Sequence, residues 1–287
     1  MNLKPTQESK AGKTAQPKVQ FKIRTLLVLI FLSSFIAMAG SLAHTSFEQD
    51  KIVERLERKN VLYDYEFKDG QAVLHRAPPG PSWIKEKLGS NFFARVTHVK
   101  LYRKEINNIE SIFNLHQLEH LSLFDCDSLT DVSYIEHFKK LVYLDLGNCD
   151  GLTDVEPLKG ATNLEHLDLF SCANVSDLNC VENLTQLKYL DISNCEEISE
   201  FEFLHALKNL ETLKLAKSSL SDVSCVLNNA QLRELHLEGC QNLGSVSGLE
   251  NLEQLQLVNV RGCKKLSKTQ VKRLSELIPG ANVVSDY

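Results

Sequence analysis

Six of the eight cysteines in this 287-residue chain recur at one position of a periodic sequence: Cys126, Cys149, Cys172, Cys195, Cys240 and Cys263. Ser218 fills the same position in the remaining unit. A column of thiols could hold a metal or exchange electrons. Structural zinc takes four ligands converging tetrahedrally, whereas a straight column sets neighbours on a line. Rungs about 4.8 Å apart bring backbones within disulfide range, but parallel side chains do not face one another. The expectation is a stack of buried free thiols, each behaving as a small hydrophobe. Cys180 and Cys225 lie outside that column, and their state is open.

A second set of chemically able residues repeats with the same period. His98, His120, Tyr143, His166, Tyr189, Thr212 and Glu234 form one column. Lys100, Ser122, Asp145, Asp168, Asp191, Lys214 and His236 form the next, and Tyr102, Phe124, Gly147, Phe170, Ser193, Ala216 and Glu238 the third. Each alternates with inward leucines, so all three columns point away from the core. Aromatic and imidazole groups surrounding three aspartates on a solvated wall mark an interaction site. Unit charges about 5 Å apart repel by roughly 1 kcal/mol in water and roughly 3 at an effective dielectric of 20. A basic partner or a cation would relieve that repulsion. The opposing reading makes Asp a filler between two inward leucines. His120 and His166 beside Asp145 and Asp168 also suggest hydrolytic metal chemistry. An open wall, however, implies no pocket, nucleophile or oriented base. No phosphate-binding glycine loop, paired CxxC motif or triad stands out, so the expectation is a non-enzyme without metal or cofactor.

These columns exist because a block of about 23 residues recurs, reading Leu-x-x-Leu-x-Leu-x-x-Cys-x-x-Leu. Its first leucine falls at Leu118, Leu141, Leu164, Leu187, Leu210, Leu232 and Leu255, so one step is 22 and the others 23. A fixed period of this size means a solenoid, in which each unit buries its apolar side only against its neighbours. In the unit from Leu118 to Lys140, Leu121 and Leu123 alternate with His120, Ser122 and Phe124, the period of a half-buried strand. Cys126, Leu129, Val132, Ile135 and Phe138 follow at intervals of three, which suits short extended or 3₁₀ segments. Thr130-Asp131 recurs as Thr153-Asp154, Ser176-Asp177, Ser199-Glu200 and Ser221-Asp222, side chains able to accept hydrogen bonds from turn amides.

The pattern resembles the leucine-rich-repeat family over residues 93–287. That resemblance implies a solenoid with a concave parallel sheet, used to bind proteins. Two features depart from the family pattern: cysteine stands where asparagine is frequent, and the turning segments are short. Val96, Val99 and Leu101 fit an imperfect first repeat. The run Pro78-Pro79-Gly80-Pro81-Ser82-Trp83 through Phe92-Phe93 resembles the lead-in of bacterial membrane-anchored leucine-rich-repeat proteins.

The ends read differently. Val271, Leu274, Leu277 and Ile278 have helical spacing within Lys268 to Ile278, and Pro279-Gly280 leads to a closing strand from Asn282 to Val284. Leu62 to Phe67 and Ala72 to His75 flank Asp69-Gly70, a hairpin signal. Pro81-Ser82 opens a short helical stretch with Trp83, Ile84 and Leu88 that ends at Gly89. Thr25 to Ala43 carries no charge over 19 residues, enough to cross a bilayer core. The six basic residues before it stand against Glu8 alone, which places the N-terminus in the cytoplasm and the repeats outside. A cleaved signal peptide ending at Ala37-Met38-Ala39 is the alternative, giving secretion. The leader 1–24 contributes +5 to a whole-chain charge of −5, leaving −10 beyond it and arguing against nucleic acid. Asn174-Val175-Ser176 and Asn183-Leu184-Thr185 match the glycosylation pattern, which matters only in a eukaryotic secretory pathway.

The expected organisation is an α/β solenoid: a basic tail (1–24), a transmembrane helix (25–43), an α+β cap (44–93), repeats (94–266) and a capping helix and strand (267–287). The sheet face, with Tyr102, His120, Phe124, Tyr143, Asp145, His166, Asp168, Phe170, Tyr189 and Asp191, is expected to bind a protein or peptide of basic character. The alternative is a structural component of the cell envelope.

Overall fold

The structure is a computed structural model describing residues 23–55, 61–68, 71–75, 95–102 and 106–287, with backbone alone at 23–36, 39, 55, 61–68, 71–75 and 95. The chain divides into two compact units, Met1–Ala43 and His44–Tyr287. Helix α1 (Ile23–Arg55) runs through residue 43 without a break. The helix therefore continues past Ala43, the last residue of the expected span. No proline interrupts this stretch, so the backbone ladder continues where the apolar run stops. Among the described residues no helix is long and apolar enough to cross a membrane. Most side chains of the Thr25–Ala43 run lie outside those residues, as do the basic tail and the helical stretch around Trp83.

In the larger unit, β1 (Val61–Lys68) and β2 (Gln71–His75) pair antiparallel, with Lys68 opposite Gln71. β1 also pairs antiparallel with β3 (Arg95–Lys100). From β3 onward every pairing is parallel and one repeat apart: β4 (His120–Ser122), β5 (Tyr143–Asp145), β6 (His166–Asp168), β7 (Tyr189–Asp191), β8 (Thr212–Lys214), β9 (Glu234–His236) and β10 (Leu257–Asn259). The closing strand β11 (Asn282–Val284) completes an 11-stranded sheet beside β10.

The core follows from the period. Leu121, Leu144, Leu167, Leu190, Leu213 and Leu235 are fully buried at the centres of their strands, and the next inward position is filled by Leu123, Leu146, Leu169, Ile192, Leu215 and Leu237. The opposite wall is made of 3₁₀ turns, including Ser133–His137, Glu156–Gly160, Asn179–Asn183 and Glu202–Ala206. Asp131, Asp154, Asp177 and Asp222 each accept the amide N–H two residues on, at 2.8–2.9 Å, which orients the start of the turn. The Ser199-Glu200 unit does it differently: the amide of Phe201 donates to Glu202 Oε2 at 3.1 Å.

Before the cysteine position of every repeat the chain enters the left-handed region. Asp125, Asn148, Ser171, Asn194, Lys217, Gly239 and Gly262 all have φ between 57° and 77°. Asn, Asp and Gly tolerate this conformation best, which explains their preference there. The reversal turns the following thiol inward, where it donates to a carbonyl of the preceding rung. Cys149 reaches Leu123 O at 3.3 Å, Cys172 reaches Leu146 O at 3.1 Å, and Cys263 reaches Leu237 O at 3.0 Å. All eight cysteines are buried and free. Burial pushes the Cys149, Cys180, Cys195 and Cys225 thiols up to about 12, so they stay protonated and inert.

The C-terminal end closes with helix α2 (Lys268–Leu277). Ser267 and Gln270 form a reciprocal capping box, and Gln270 also donates to Gly244 O at 2.8 Å. Val271, Leu274 and Ile278 cover the last rung.

Candidate functional site

The parallel register brings the first column together as a stack of rings. His98 and His120 lie face to face with centroids 4.0 Å apart, and His120 and Tyr143 follow at 5.4 Å. Tyr143 and His166 are 4.3 Å apart, and His166 and Tyr189 3.9 Å apart and within 5° of parallel. Lys214 Nζ sits 5.0 Å from the Tyr189 ring centre and closes the stack with a cation–π contact. The ring faces are thus used on one another, and the column offers its edges to solvent. This changes the expected picture of open aromatic contact area: His120, Tyr143, His166 and Tyr189 are half-buried.

Burial in the stack disfavours the charged form of each ring. The His98 imidazole falls to about 4, through burial first and then its neighbours His120 and Lys100. His166 also falls to about 4, with burial outweighing the pull of Asp145 and Asp191. His120 is lowered for the same first cause. Burial, reinforced by Asp145 and Asp168, pushes the Tyr143 hydroxyl up to about 12.

The second column places Asp145, Asp168 and Asp191 side by side on β5, β6 and β7. Each uses one carboxylate oxygen to accept the amide N–H two residues on: Gly147 at 3.0 Å, Phe170 at 2.8 Å and Ser193 at 2.9 Å. The remaining oxygens differ. Asp145 Oδ2 accepts from Ser122 Oγ at 2.8 Å. Asp191 Oδ2 lies 3.4 Å from the Tyr189 hydroxyl and 3.6 Å from Lys214 Nζ. Asp191 is only 5% exposed, so this member of the predicted solvated row is a buried, partnered group. Lys214 and Tyr189 close over it. Asp168 stays half-buried, and its carboxyl is raised to about 6, by burial first and then by Asp191 and Asp145.

The third column stands apart from the ring stack. Tyr102 is 57% exposed at the N-terminal end, and Phe124 lies over Gly147, where an added Cβ would meet the ring at 3.1 Å. Phe170 is half-buried on β6's continuation. The ten predicted residues thus lie on one face as three parallel lines, not as one aromatic cluster around the acids. Sequence reasoning named Lys214 and His98 within their columns but missed that they cap the two ends of the ring stack.

Residues 132–213 match the family model for Zer-1-like leucine-rich repeats. These repeats are leucine-rich repeats. No curated protein matches the chain. Among solved structures, an internalin C2 from Listeria monocytogenes is 22% identical, with 68% of this chain and 80% of that chain covered and a TM-score of 0.56. The functional domain of InlJ from the same organism, which includes a cysteine ladder, is 19% identical over 66% of this chain and 44% of that one, with a TM-score of 0.46. The leucine-rich repeat domain of the type III effector XopL is 19% identical over 63% of this chain and 73% of that one, at 0.47. The internalin C2 likeness extends the leucine-rich-repeat fold beyond the residues that the family model matches.

Proposed function

We propose that this chain is a non-catalytic binding protein whose leucine-rich-repeat sheet face recognises a protein or peptide carrying lysine or arginine side chains. The observation that supports this most is the half-buried Asp168 between two further carboxylates. The chain already supplies a cation to Asp191, through Lys214, on the same face. A partner's ammonium group set against Asp145 and Asp168 would repeat that arrangement one rung away. The same reading places the repeats outside a membrane, held by the apolar run Thr25–Ala43.

Replacing Asp145, Asp168 and Asp191 together by Asn should leave the fold intact, because an amide oxygen can still accept the Gly147, Phe170 and Ser193 amides. Association of the full chain with octalysine should slow and lose most of its salt dependence. Removing three exposed acids away from the sheet, by Glu136→Gln, Glu182→Gln and Glu253→Gln, controls for overall charge. Equal slowing in both triple variants would sink the assignment to this face.

A second reading has its own support: the ring stack and the aspartate–amide bonds already satisfy much of the face internally, as a structural component would. Unchanged octalysine association in the aspartate variant favours that reading.

The anchor has a separate expectation. The protein should stay in the membrane pellet after carbonate washing, with its first residues intact. A mature N-terminus at Gly40 would establish the cleaved-signal alternative instead.

A further inference from the structure

The C-terminal cap carries a charge opposite to that of the chain beyond the leader, which is −10 as a whole. Within residues 261–287, Arg261, Lys264, Lys265, Lys268, Lys272 and Arg273 stand against Glu276 and Asp286 alone, and all six bases are exposed. In the repeats Lys159, Lys188, Lys214 and Arg233 each lie 2.5–3.6 Å from a carboxylate oxygen. At the cap, Arg261 reaches Asp286 only at 4.0 Å and Lys272 reaches Glu276 at 3.7 Å. Among the described residues Lys264, Lys268 and Arg273 have no ion-pair partner, and Lys265 donates to the neutral Asn242 Oδ1 at 3.0 Å. The first turn of α2 holds no acid, so the helix dipole adds to the positive potential there.

Apolar side chains lie exposed among these charges. Leu277 is 46% exposed, one turn beyond Arg273, beside a groove of about 290 Å³ with Val246, Leu274 and Leu277 as its apolar lining. Tyr287 is 61% exposed, and its hydroxyl donates to Leu266 O at 3.1 Å, which holds it beside the turn bearing Lys264 and Lys265. Unpaired bases flanked by exposed apolar and aromatic groups suit the boundary between lipid headgroups and acyl chains. A soluble polyanion would engage the bases alone and leave Leu277 in water.

We propose that the C-terminal cap is a docking surface for a bilayer rich in anionic phospholipid. Lys264, Lys268, Lys272 and Arg273 meet the lipid phosphates, and Leu277 and Tyr287 meet the acyl boundary. This rests on the reading that Thr25–Ala43 holds the chain at a membrane, which keeps such a surface within reach. A basic side chain near an anionic bilayer gains roughly fivefold in residence, and the gain is lost at high salt. Docking is therefore a second, reversible contact added to the anchor, released by salt or by neutral lipid.

The full-length protein should be reconstituted into vesicles of phosphatidylcholine, and into the same lipid with about a third phosphatidylglycerol. Lysines are then acetylated with a membrane-permeable reagent and the rates read by peptide mapping. Lys264, Lys268 and Lys272 are expected to react about fivefold more slowly on the anionic vesicles, and exposed Lys140 equally on both. The protection should vanish at high salt. In a Lys264→Gln, Lys268→Gln, Arg273→Gln variant, whose folding circular dichroism confirms, Lys265 and Lys272 should react equally on both vesicles. Equal wild-type rates on the two vesicles overturn the proposal, as does a slowing of Lys140 as large as that of the cap lysines. Protection on neutral vesicles that grows with protein concentration assigns the cap to a second copy of the chain instead. Equal protection by soluble glycerol phosphate assigns it to free phosphate. Flotation separates the two readings. A chain that floats only with anionic vesicles and shows the protection removes the anchor and keeps the cap, and one that floats with neither removes both.

Discussion

Leu167→Ala is expected to destabilise the larger unit by about 2–5 kcal/mol, the usual cost of truncating a buried leucine. Leu167 has no exposed surface and lies between Leu144 and Leu190 in register at the middle of the parallel sheet. Both neighbours are themselves buried, so the cavity cannot be relieved by moving a side chain out to solvent. In a solenoid each rung draws its stability from the adjoining two, and the loss should spread to β5 and β7. Denaturant unfolding followed by circular dichroism checks this. The exposed neighbour Glu165→Ala should change stability by no more than about 0.5 kcal/mol. A midpoint for Leu167→Ala within error of wild type would contradict the inward register.

Asn229→Ala should cost about 2–3 kcal/mol, unusually much for an asparagine. Asn229 has no exposed surface, and its Nδ2 donates to Leu204 O at 2.9 Å and Leu207 O at 2.7 Å. Phe138, Ala161, Leu184, Leu207 and Leu252 occupy the equivalent position in other repeats and are apolar. The Asn229 repeat is the one whose leucine step is 22 instead of 23. Its side-chain amide therefore bridges to the preceding turn where the shortened chain packs differently. Truncation removes both bonds and leaves a small void. Asn229→Asp should be worse still, because it replaces a buried donor with a charge that faces two carbonyl oxygens. An Asn229→Ala midpoint equal to wild type would contradict the bridging role.

The repeat frame was legible because two periods, 2 within a strand and 23 between strands, repeat often enough to fix which side chains face inward. The first two outward columns came out in the register the strands adopt, from His98 opposite His120 to Lys214 opposite His236. The capping helix was legible from Val271, Leu274, Leu277 and Ile278 and the Pro279-Gly280 stop, but Leu277 faces solvent while the other three are buried.

Other features depend on side-chain rotation, which spacing does not report. Tyr143, His166 and Tyr189 occupy outward positions in either case, but whether their rings face solvent or each other is decided by χ angles. Asp191 is buried because Lys214 and Tyr189 fold over it, a tertiary effect absent from the local pattern. The left-handed column was readable from Asp125, Asn148, Asn194, Gly239 and Gly262, but Ser171 and Lys217 obscure it. Helix α1 continues past the apolar run that ends at Ala43, because a change from apolar to polar composition is a solvent boundary, not a helix stop.

Zero-length carbodiimide coupling of octalysine to the full-length protein, followed by peptide mapping, tests the central claim most directly. The reagent joins an amine only to a carboxylate that it touches, so the adducts report where the cation sits. Adducts are expected at Asp145 and Asp168, with little at buried Asp191. Adducts distributed over exposed acids such as Glu136 and Glu182, with none in excess at Asp145 or Asp168, would contradict recognition by the sheet face.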